Sequence, residues 1–370
     1  MEPVTLLLAV AGLVLLVGGA DLLVRGASGL AAAAGITPLV IGLTVVAAGT
    51  SAPELAVSLQ GSLGGRPDLA VGNVVGSNIA NVLLILGASA LIAPLVVSRQ
   101  LVRVDVPLMI GASLLLVLLV DDGRVSRPEG VLLVLGLLAY LALQVRLGRR
   151  GALDAPPAEL PPPVRGGRLG QVALLLAGLA LLVLGSRWLV GGAVAVAQSM
   201  GVSELVIGLT VVAVGTSLPE IATSLIATFR GQRDLAVGNV VGSNLFNVLG
   251  ILGVCAIVAP GGLPVAHAAG AFDIPVMAAA ALACLPIAFT GYVIARWEGL
   301  VFLAYYVAYA AYAVLAATEH DALPAYSGVM GAFVLPITAV TLLALAVQAF
   351  RRQRRARGES TGAGPQDLPT

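Results

Sequence analysis

Two stretches of this chain, residues 42–87 and 208–253, align with one another without a gap. Each contains the strings G-T-S-x-P-E and G-N-V-V-G-S-N, and each places one glutamate, Glu54 or Glu220, in a long apolar run. About 20 apolar residues suffice for a helix to cross a bilayer. A lone carboxylate near the middle of such a helix costs about 2.5–3.5 kcal/mol. Because the cost recurs in both copies, we predict that both glutamates lie on an ion or substrate pathway.

The composition places the chain in a membrane. Hydrophobic residues make up 59% of its 370 residues and charged residues only 11%, which leaves too little polar surface for a soluble globular protein. We therefore predict an all-α, polytopic membrane protein with eleven spanning helices. The predicted spans are residues 4–24, 37–62, 69–92, 104–120, 129–146, 170–197, 203–228, 235–258, 271–289, 298–317 and 326–350.

The spacing of the repeat predicts inverted halves. Glu220 follows Glu54 by the same 166 residues that separate Asn247 from Asn81. Five predicted helices fit within that offset, an odd number, so the second copy enters the bilayer from the opposite side, as in many secondary transporters. The predicted organisation is a first five-helix repeat (1–147), a Pro- and Gly-rich cytoplasmic linker (148–169), a second five-helix repeat (170–317), an additional transmembrane helix (318–350) and a basic, disordered tail (351–370).

The basic residues predict the orientation. All twenty are arginine, and an N-terminus outside the cell puts sixteen of them on the cytoplasmic side of the helices or in the cytoplasmic tail. Only Arg66, Arg124 and Arg127 would then face outwards, in agreement with the positive-inside rule. The C-terminus is accordingly predicted to be cytoplasmic and the protein to lie in the cell membrane. A nucleic-acid partner is not expected, and the oligomeric state is not predicted.

The first string combines a helix break with polar groups. Pro53 lacks the N–H that would bond the carbonyl of Gly49, so the helix is predicted to kink there and free carbonyl oxygens near Ala47. Thr50 and Glu54 are four residues apart, on one face of the helix just past the break. The second copy predicts the same arrangement for Ala213, Thr216, Pro219 and Glu220.

The second string places polar residues on a helix at four-residue steps. These residues are Asn73, Ser77 and Asn81 in the first copy and Asn239, Ser243 and Asn247 in the second. Asn78 and Asn244 lie about 100° around the helix from this stripe, so they are predicted to pack rather than to bind. Asp105, Asp273, Glu129 and Glu298 stand near predicted helix starts and are expected to act as caps.

The donor set predicts the ligand. The repeats offer carboxylate, hydroxyl, amide and carbonyl oxygens, and neither thiolates nor imidazoles. Oxygen-only sites suit hard cations, and Ca²⁺ takes 6–8 such ligands in a flexible arrangement. Two glutamates supply two negative charges, which one Ca²⁺ or two Na⁺ would balance. No cofactor is expected besides these transported ions.

These strings resemble the alpha repeats of the cation/calcium exchanger superfamily, most closely its sodium/calcium exchanger branch. The resemblance implies that the acidic residues at Glu54 and Glu220 are the central ion ligands. It further implies that Asn81 and Asn247 line the middle of the site, and that the carbonyls of Ala47 and Ala213 help to hold Na⁺. The assisting hydroxyls that it implies are those of Thr50, Ser51, Ser77, Thr216, Ser217 and Ser243.

Asn247 and the motif around each glutamate bear on the coupling ion. Potassium-dependent relatives carry Asp where this chain has Asn247, so the resemblance favours a potassium-independent exchanger. The proton-coupled branch usually reads G-N-x-x-E in place of GTSAPE, which favours Na⁺. The predicted function is Na⁺/Ca²⁺ exchange by alternating access. The alternative is Ca²⁺/H⁺ antiport, and a passive cation channel is less favoured. An enzyme is not expected, because both histidines are far in sequence from the repeat serines.

Overall fold

The computed structural model describes residues 3–154, 167–202, 204–207, 211, 213–285 and 292–336, and these residues are almost entirely helical. Within these ranges, four short strands connect the helices: β1 Leu95–Val96, β2 Arg124–Val125, β3 Leu263–Pro264 and β4 Val293–Ile294. The helices are α1 Pro3–Ala34, α2 Pro38–Thr50, α3 Ala52–Leu63, α4 Pro67–Ile92, α5 Leu101–Leu119, α6 Arg127–Asp154, α7 Gly167–Ser199, α8 Glu204–Ile207, α9 Ala213–Thr216, α10 Leu218–Phe229, α11 Arg233–Val258, α12 Ala269–Leu282, α13 Arg296–Ala317 and α14 Leu323–Val329.

The described helices account for most of the predicted spans. Seven of them are long and apolar enough to cross a bilayer, and the bent pair α2–α3 makes an eighth. The remaining predicted spans, 203–228, 271–289 and 326–350, include residues outside the described part of the chain. The total of eleven, the predicted tail and the exact boundaries of the two halves therefore stay predictions. The chain itself is an all-α, polytopic membrane protein.

The two strand pairs show that the halves are inverted. β1 and β3 are equivalent in the repeat, as are β2 and β4, yet β1 pairs with β4 and β2 pairs with β3. The helix α5 separates β1 from β2 and is about 28 Å long at 1.5 Å per residue. The two ribbons therefore lie at opposite ends of the helices, and each joins one half to the other. A non-inverted repeat would place equivalent loops on the same side.

Glycines allow the helices of the two halves to approach closely. A Cβ atom on Gly178 of α7 would lie 2.7 Å from the carbonyl oxygen of Gly19 in α1. Gly87 of α4 meets Gly299 of α13 in the same way, at 2.9 Å from its carbonyl oxygen, and Gly130 of α6 meets the Gly253 oxygen of α11 at 2.7 Å. Small residues are the usual means of close helix packing in membranes. These contacts leave α4 and α11 at the centre, where their apolar residues form the main buried core.

The end of α1 differs from its prediction, whereas two predicted helix caps are confirmed. Helix α1 continues to Ala34 rather than ending near residue 24, because the alanine-rich stretch before Gly35, which has φ +63°, favours a helix. Glu129 and Glu298 do cap their helices, with carboxylate oxygens 2.7 Å from the backbone N–H groups of Ser126 and Ala295.

Asp105 does not cap a helix, and that prediction is wrong. Its helix begins at Leu101, in a π-helical turn, so Asp105 lies a full turn inside and is completely buried. Its carboxylate accepts hydrogen bonds from Gln144 Nε2, Tyr140 Oη and Gln100 Nε2. The repeat-related Asp273 likewise accepts a hydrogen bond from a tyrosine, Tyr309, at 3.0 Å.

Candidate functional site

Both halves carry a helix break beside their glutamate. Helices α2 and α3 meet at Ser51 with a bend of 45°, and Pro53 stands in the first turn of α3. Ser51 has φ −82° and ψ 7°, and Ser217, between α9 and α10, has nearly the same angles, −85° and 5°. The prolines cause this geometry because they cannot donate the next helical hydrogen bond. Glu54 and Glu220 consequently lie in the first turns of α3 and α10.

The two glutamates point into one buried site at the contact between the halves. Glu54 is 0% and Glu220 1% exposed, so both carboxyls are fully buried. Ser51 of the first half donates a hydrogen bond of 3.0 Å to Glu220 Oε1 of the second. Both oxygens of Glu54 and Oε2 of Glu220 have no hydrogen-bond partner among the described residues. Buried carboxylate oxygens are costly to leave without a partner.

Ser217 shows where the twofold arrangement is inexact. It stands beside Glu54 as Ser51 stands beside Glu220, but its hydroxyl donates to Ser77 Oγ at 3.2 Å. Ser243, the repeat partner of Ser77, is fully buried, and its hydroxyl has no partner in the described part of the chain. Two further oxygens, those of Ser77 and Ser243, therefore lie inside the protein without being fully used.

The threonines are held by the opposite half. Thr50 donates to Asn239 Oδ1 at 3.1 Å, and Thr216 donates to Asn73 Oδ1 at 3.3 Å. Each asparagine then bonds its own half: Asn73 Nδ2 donates to Ser58 Oγ at 2.9 Å, and Asn239 Nδ2 donates to the corresponding serine at 3.0 Å. Asn73 and Asn239 thus each link a threonine of the opposite half to a serine of their own half.

Sequence reasoning missed the two serines that complete these chains, Ser58 and Ser224. A signal was present, because each follows its glutamate by four residues, in ELAVS and EIATS, and so lies on the same helical face. Such a step repeated in both copies marks the serine as part of the same constellation.

Four buried asparagines form a cluster between α4 and α11. Asn81 and Asn247 are each 1% exposed, and their Oδ1 atoms are among the buried oxygens without a partner in the described residues. Both stand in π-helical segments, Ala80–Leu86 and Phe246–Leu252, which the four-residue spacing did not predict. Asn78 and Asn244, predicted only to pack, hydrogen-bond these residues across the interface.

The carbonyl of Ala47 is not free, contrary to the prediction. Its oxygen accepts the Ser51 N–H at 3.0 Å, so the helical hydrogen bond at this carbonyl is intact despite the break. Ala213 begins α9, where the Ser217 N–H bonds Val214 instead, at 3.1 Å. The side chain of Ala213 lies outside the described part of the structure.

The site therefore presents two carboxylates surrounded by neutral oxygens. Within the described ranges, no group of three or more His, Cys, Asp and Glu side chains comes together. Such a donor set suits a hard cation that accepts hydroxyl and amide oxygens beside carboxylates.

Comparison with known proteins assigns the chain. The family described as "Sodium/calcium exchanger protein" matches residues 4–146 and 170–315, which include both glutamates and both breaks. The chain belongs to the sodium/calcium exchanger family. Among its family relatives, the sodium/calcium exchanger MaX1 of Methanosarcina acetivorans is 34% identical over 301 residues, covering 72% of this chain and 85% of that protein.

Two further comparisons agree with membership of this family. A putative antiporter, CaxA of Alkalimonas amylolytica, is 47% identical over 246 residues, covering 65% of this chain and 76% of CaxA. A solved structure of the sodium–calcium exchanger NCX_Mj superposes with a TM-score of 0.72 at 32% identity, covering 83% of this chain and 97% of that one. The resemblance inferred from the two repeated strings is thereby confirmed.

Proposed function

We propose that this protein is a secondary antiporter that exchanges Na⁺ for Ca²⁺ by alternating access around the site between its halves. The observation that carries the proposal is the pair of buried carboxyls from opposite halves, with three oxygens left unpartnered among the described residues. Two negative charges are balanced by one Ca²⁺ or two Na⁺. An empty, doubly charged site is costly to carry through a low-dielectric barrier, so return without an ion is disfavoured.

The proposed ligands are the two glutamates and the neutral oxygens around them. The hydroxyls are those of Thr50, Ser51, Ser77, Thr216, Ser217 and Ser243, and the amide oxygens are those of Asn81 and Asn247. The backbone carbonyls of Ala47 and Ala213 are proposed to help hold Na⁺, that of Ala47 through the lone pair that the Ser51 N–H does not occupy. The names of MaX1 and NCX_Mj, both sodium/calcium exchangers, support Na⁺ as the coupling ion.

The proposed orientation follows the arginines. We place the N-terminus outside the cell and the 148–169 linker cytoplasmic, in the cell membrane, since this arrangement puts the large majority of arginines inside. The two halves are proposed to comprise residues 1–147 and 170–317. Residues 318–350 are proposed to form an additional transmembrane helix and residues 351–370 a basic tail.

Flux into proteoliposomes tests the proposal. Ca²⁺ uptake is expected when an outward Na⁺ gradient is imposed, and it should be lost in Glu54→Gln and Glu220→Gln because either change removes one of the two charges. Glu129→Gln is the matched control, since glutamine can also accept the capping hydrogen bond at Ser126. Uptake driven equally well by a proton gradient alone would establish the Ca²⁺/H⁺ alternative. Uptake that needs no counter-ion gradient would indicate a channel.

A further inference from the structure

Four buried asparagines link the central helices α4 and α11 across the two halves. Asn247 Nδ2 donates to Asn78 Oδ1 at 2.9 Å, and Asn81 Nδ2 donates to Asn244 Oδ1 at the same distance. All four side chains are at most 3% exposed. Each site asparagine is therefore held by an asparagine of the opposite half.

The direction of these hydrogen bonds is determined by a backbone carbonyl. Asn78 Nδ2 donates to the carbonyl oxygen of Asn244 at 3.3 Å, an atom that can only accept. The oxygen end of Asn78 must therefore face Asn247, which must in turn present its NH₂ group. On the other side, the NH₂ of Asn244 lies against Met109 Sδ at 3.4 Å, a weak acceptor, so its oxygen faces Asn81.

As a result, the side chains of Asn81 and Asn247 have only their amide oxygens available to a cation. An amide side chain has one end that attracts cations and one that repels them. With the NH₂ groups of Asn81 and Asn247 engaged, their Oδ1 atoms are left as buried acceptors without a partner among the described residues. Rotation of either amide by 180° would place NH₂ hydrogens in the site.

We propose that Asn78 and Asn244 are positioning residues, each of which orients the site amide of the other half so that its oxygen faces the transported cation. This inference rests on the proposed ion site and adds to it. It replaces the packing role predicted from the helical angle. Residues that orient metal ligands typically contribute about 10–100-fold to metal affinity, so loss of either asparagine should weaken Ca²⁺ binding without removing a ligand.

A double-mutant cycle on the full-length protein in detergent tests the inference, with Ca²⁺ binding measured by calorimetric titration. Asn78→Ala and Asn247→Ala should each weaken binding about tenfold. The double variant should be hardly weaker than either single variant, because both changes remove the same oriented oxygen. Asn78→Ala with Asn81→Ala is the matched control pair. No hydrogen bond joins these two, so their effects should multiply to about a hundredfold.

Each outcome decides the matter. The positioning role would be overturned if the losses of Ca²⁺ affinity for Asn78→Ala and Asn247→Ala multiply in the double variant. It would also be overturned if the coupling energy is the same in the test pair and the control pair, because a general loss of packing would affect both pairs alike. If Asn78→Ala fails to fold, the symmetric cycle of Asn244 with Asn81, with Asn247 as control partner, decides instead. A wild type that binds Ca²⁺ but does not exchange it for Na⁺ would refute the proposed function and leave the cycle valid. A wild type that binds no Ca²⁺ would refute both.

Discussion

Gly242→Ala should weaken Ca²⁺ binding although Gly242 is not one of the proposed ligands. A Cβ atom at Gly242 of α11 would lie 2.6 Å from the carbonyl oxygen and 2.7 Å from the Cα of Leu43, and 2.8 Å from Ala47 Cβ. Carbon atoms pack at about 3.5–4.0 Å. Since the obstructing atoms include backbone, α2 would have to retreat by about 0.8 Å, the difference between these separations. Thr50 lies three residues beyond Ala47 on the same helix and would move with it.

The magnitude follows from two opposing effects on stability and one on binding. Overpacking costs about 1–3 kcal/mol, and replacing a helical glycine by alanine returns about 0.5–1 kcal/mol. The net loss of folding stability should therefore stay below about 2.5 kcal/mol. The distances between Ca²⁺ and oxygen span only about 0.3 Å, so a shift of about 0.8 Å should lower Ca²⁺ affinity by more than tenfold.

The assay compares two glycines of the membrane helices. A Cβ at Gly136 of α6 would lie 3.7 Å from the nearest atom, Leu249 Cδ2, which is an ordinary contact. Gly136→Ala should keep the wild-type Ca²⁺ affinity and unfold at the same or a higher temperature. Titration of Ca²⁺ and thermal unfolding of the purified proteins measure both quantities. Unchanged affinity in Gly242→Ala would refute the claim that contact between α11 and α2 sets the site geometry.

Three further substitutions distinguish binding from stability. Asp105→Asn replaces a fully buried carboxylate that accepts hydrogen bonds from three donors. The change should cost about 1–3 kcal/mol of folding stability. The variant should therefore unfold at a lower temperature and keep the wild-type Ca²⁺ affinity. Ser51→Ala removes the 3.0 Å donor to Glu220 and should weaken Ca²⁺ about tenfold in the same titration; equal affinity would contradict its role. Arg230→Gln breaks the ion pair with the partly exposed Asp21 and should lower the folding stability by less than about 1 kcal/mol. The difference in stability from the wild type should be smaller still when unfolding is measured at high salt.

The helices could be predicted because hydrophobic length alone specifies them, whereas their internal irregularities could not. The π-helical turns at Ala80–Leu86 and Phe246–Leu252 occur at equivalent places in the repeat, as do those at Leu101–Asp105 and Ala269–Asp273. Such turns are rare and tend to occur at functional sites. The residue pattern does not distinguish them from α-helical turns, because polar residues such as Asn81 and Asp105 occur in them beside apolar ones. The misplaced cap at Asp105 has this cause.

For the candidate site, the sequence predicted which residues share a face of one helix, but not which residues of different helices contact one another. Four-residue steps predicted Thr50 and Glu54 on one face, and the repeat indicated that two such faces would meet. The position of Asn78, about 100° away, appeared unrelated to that face because a single helix gives no information about its neighbour. Its partner is Asn247, 169 residues away in the sequence. Spacing cannot encode such a contact.

Several direct contacts at the proposed site run between the two halves. Ser51 reaches Glu220, Thr50 reaches Asn239 and Ser217 reaches Ser77. Each half therefore supplies groups whose orientation the other half determines, so a correctly formed site requires one particular docking of the two. In the proposed transport cycle, the bound ion in turn affects how the two halves dock. A cation that neutralises the facing carboxyls stabilises that docking, and the halves can rearrange around it only while the charge remains balanced.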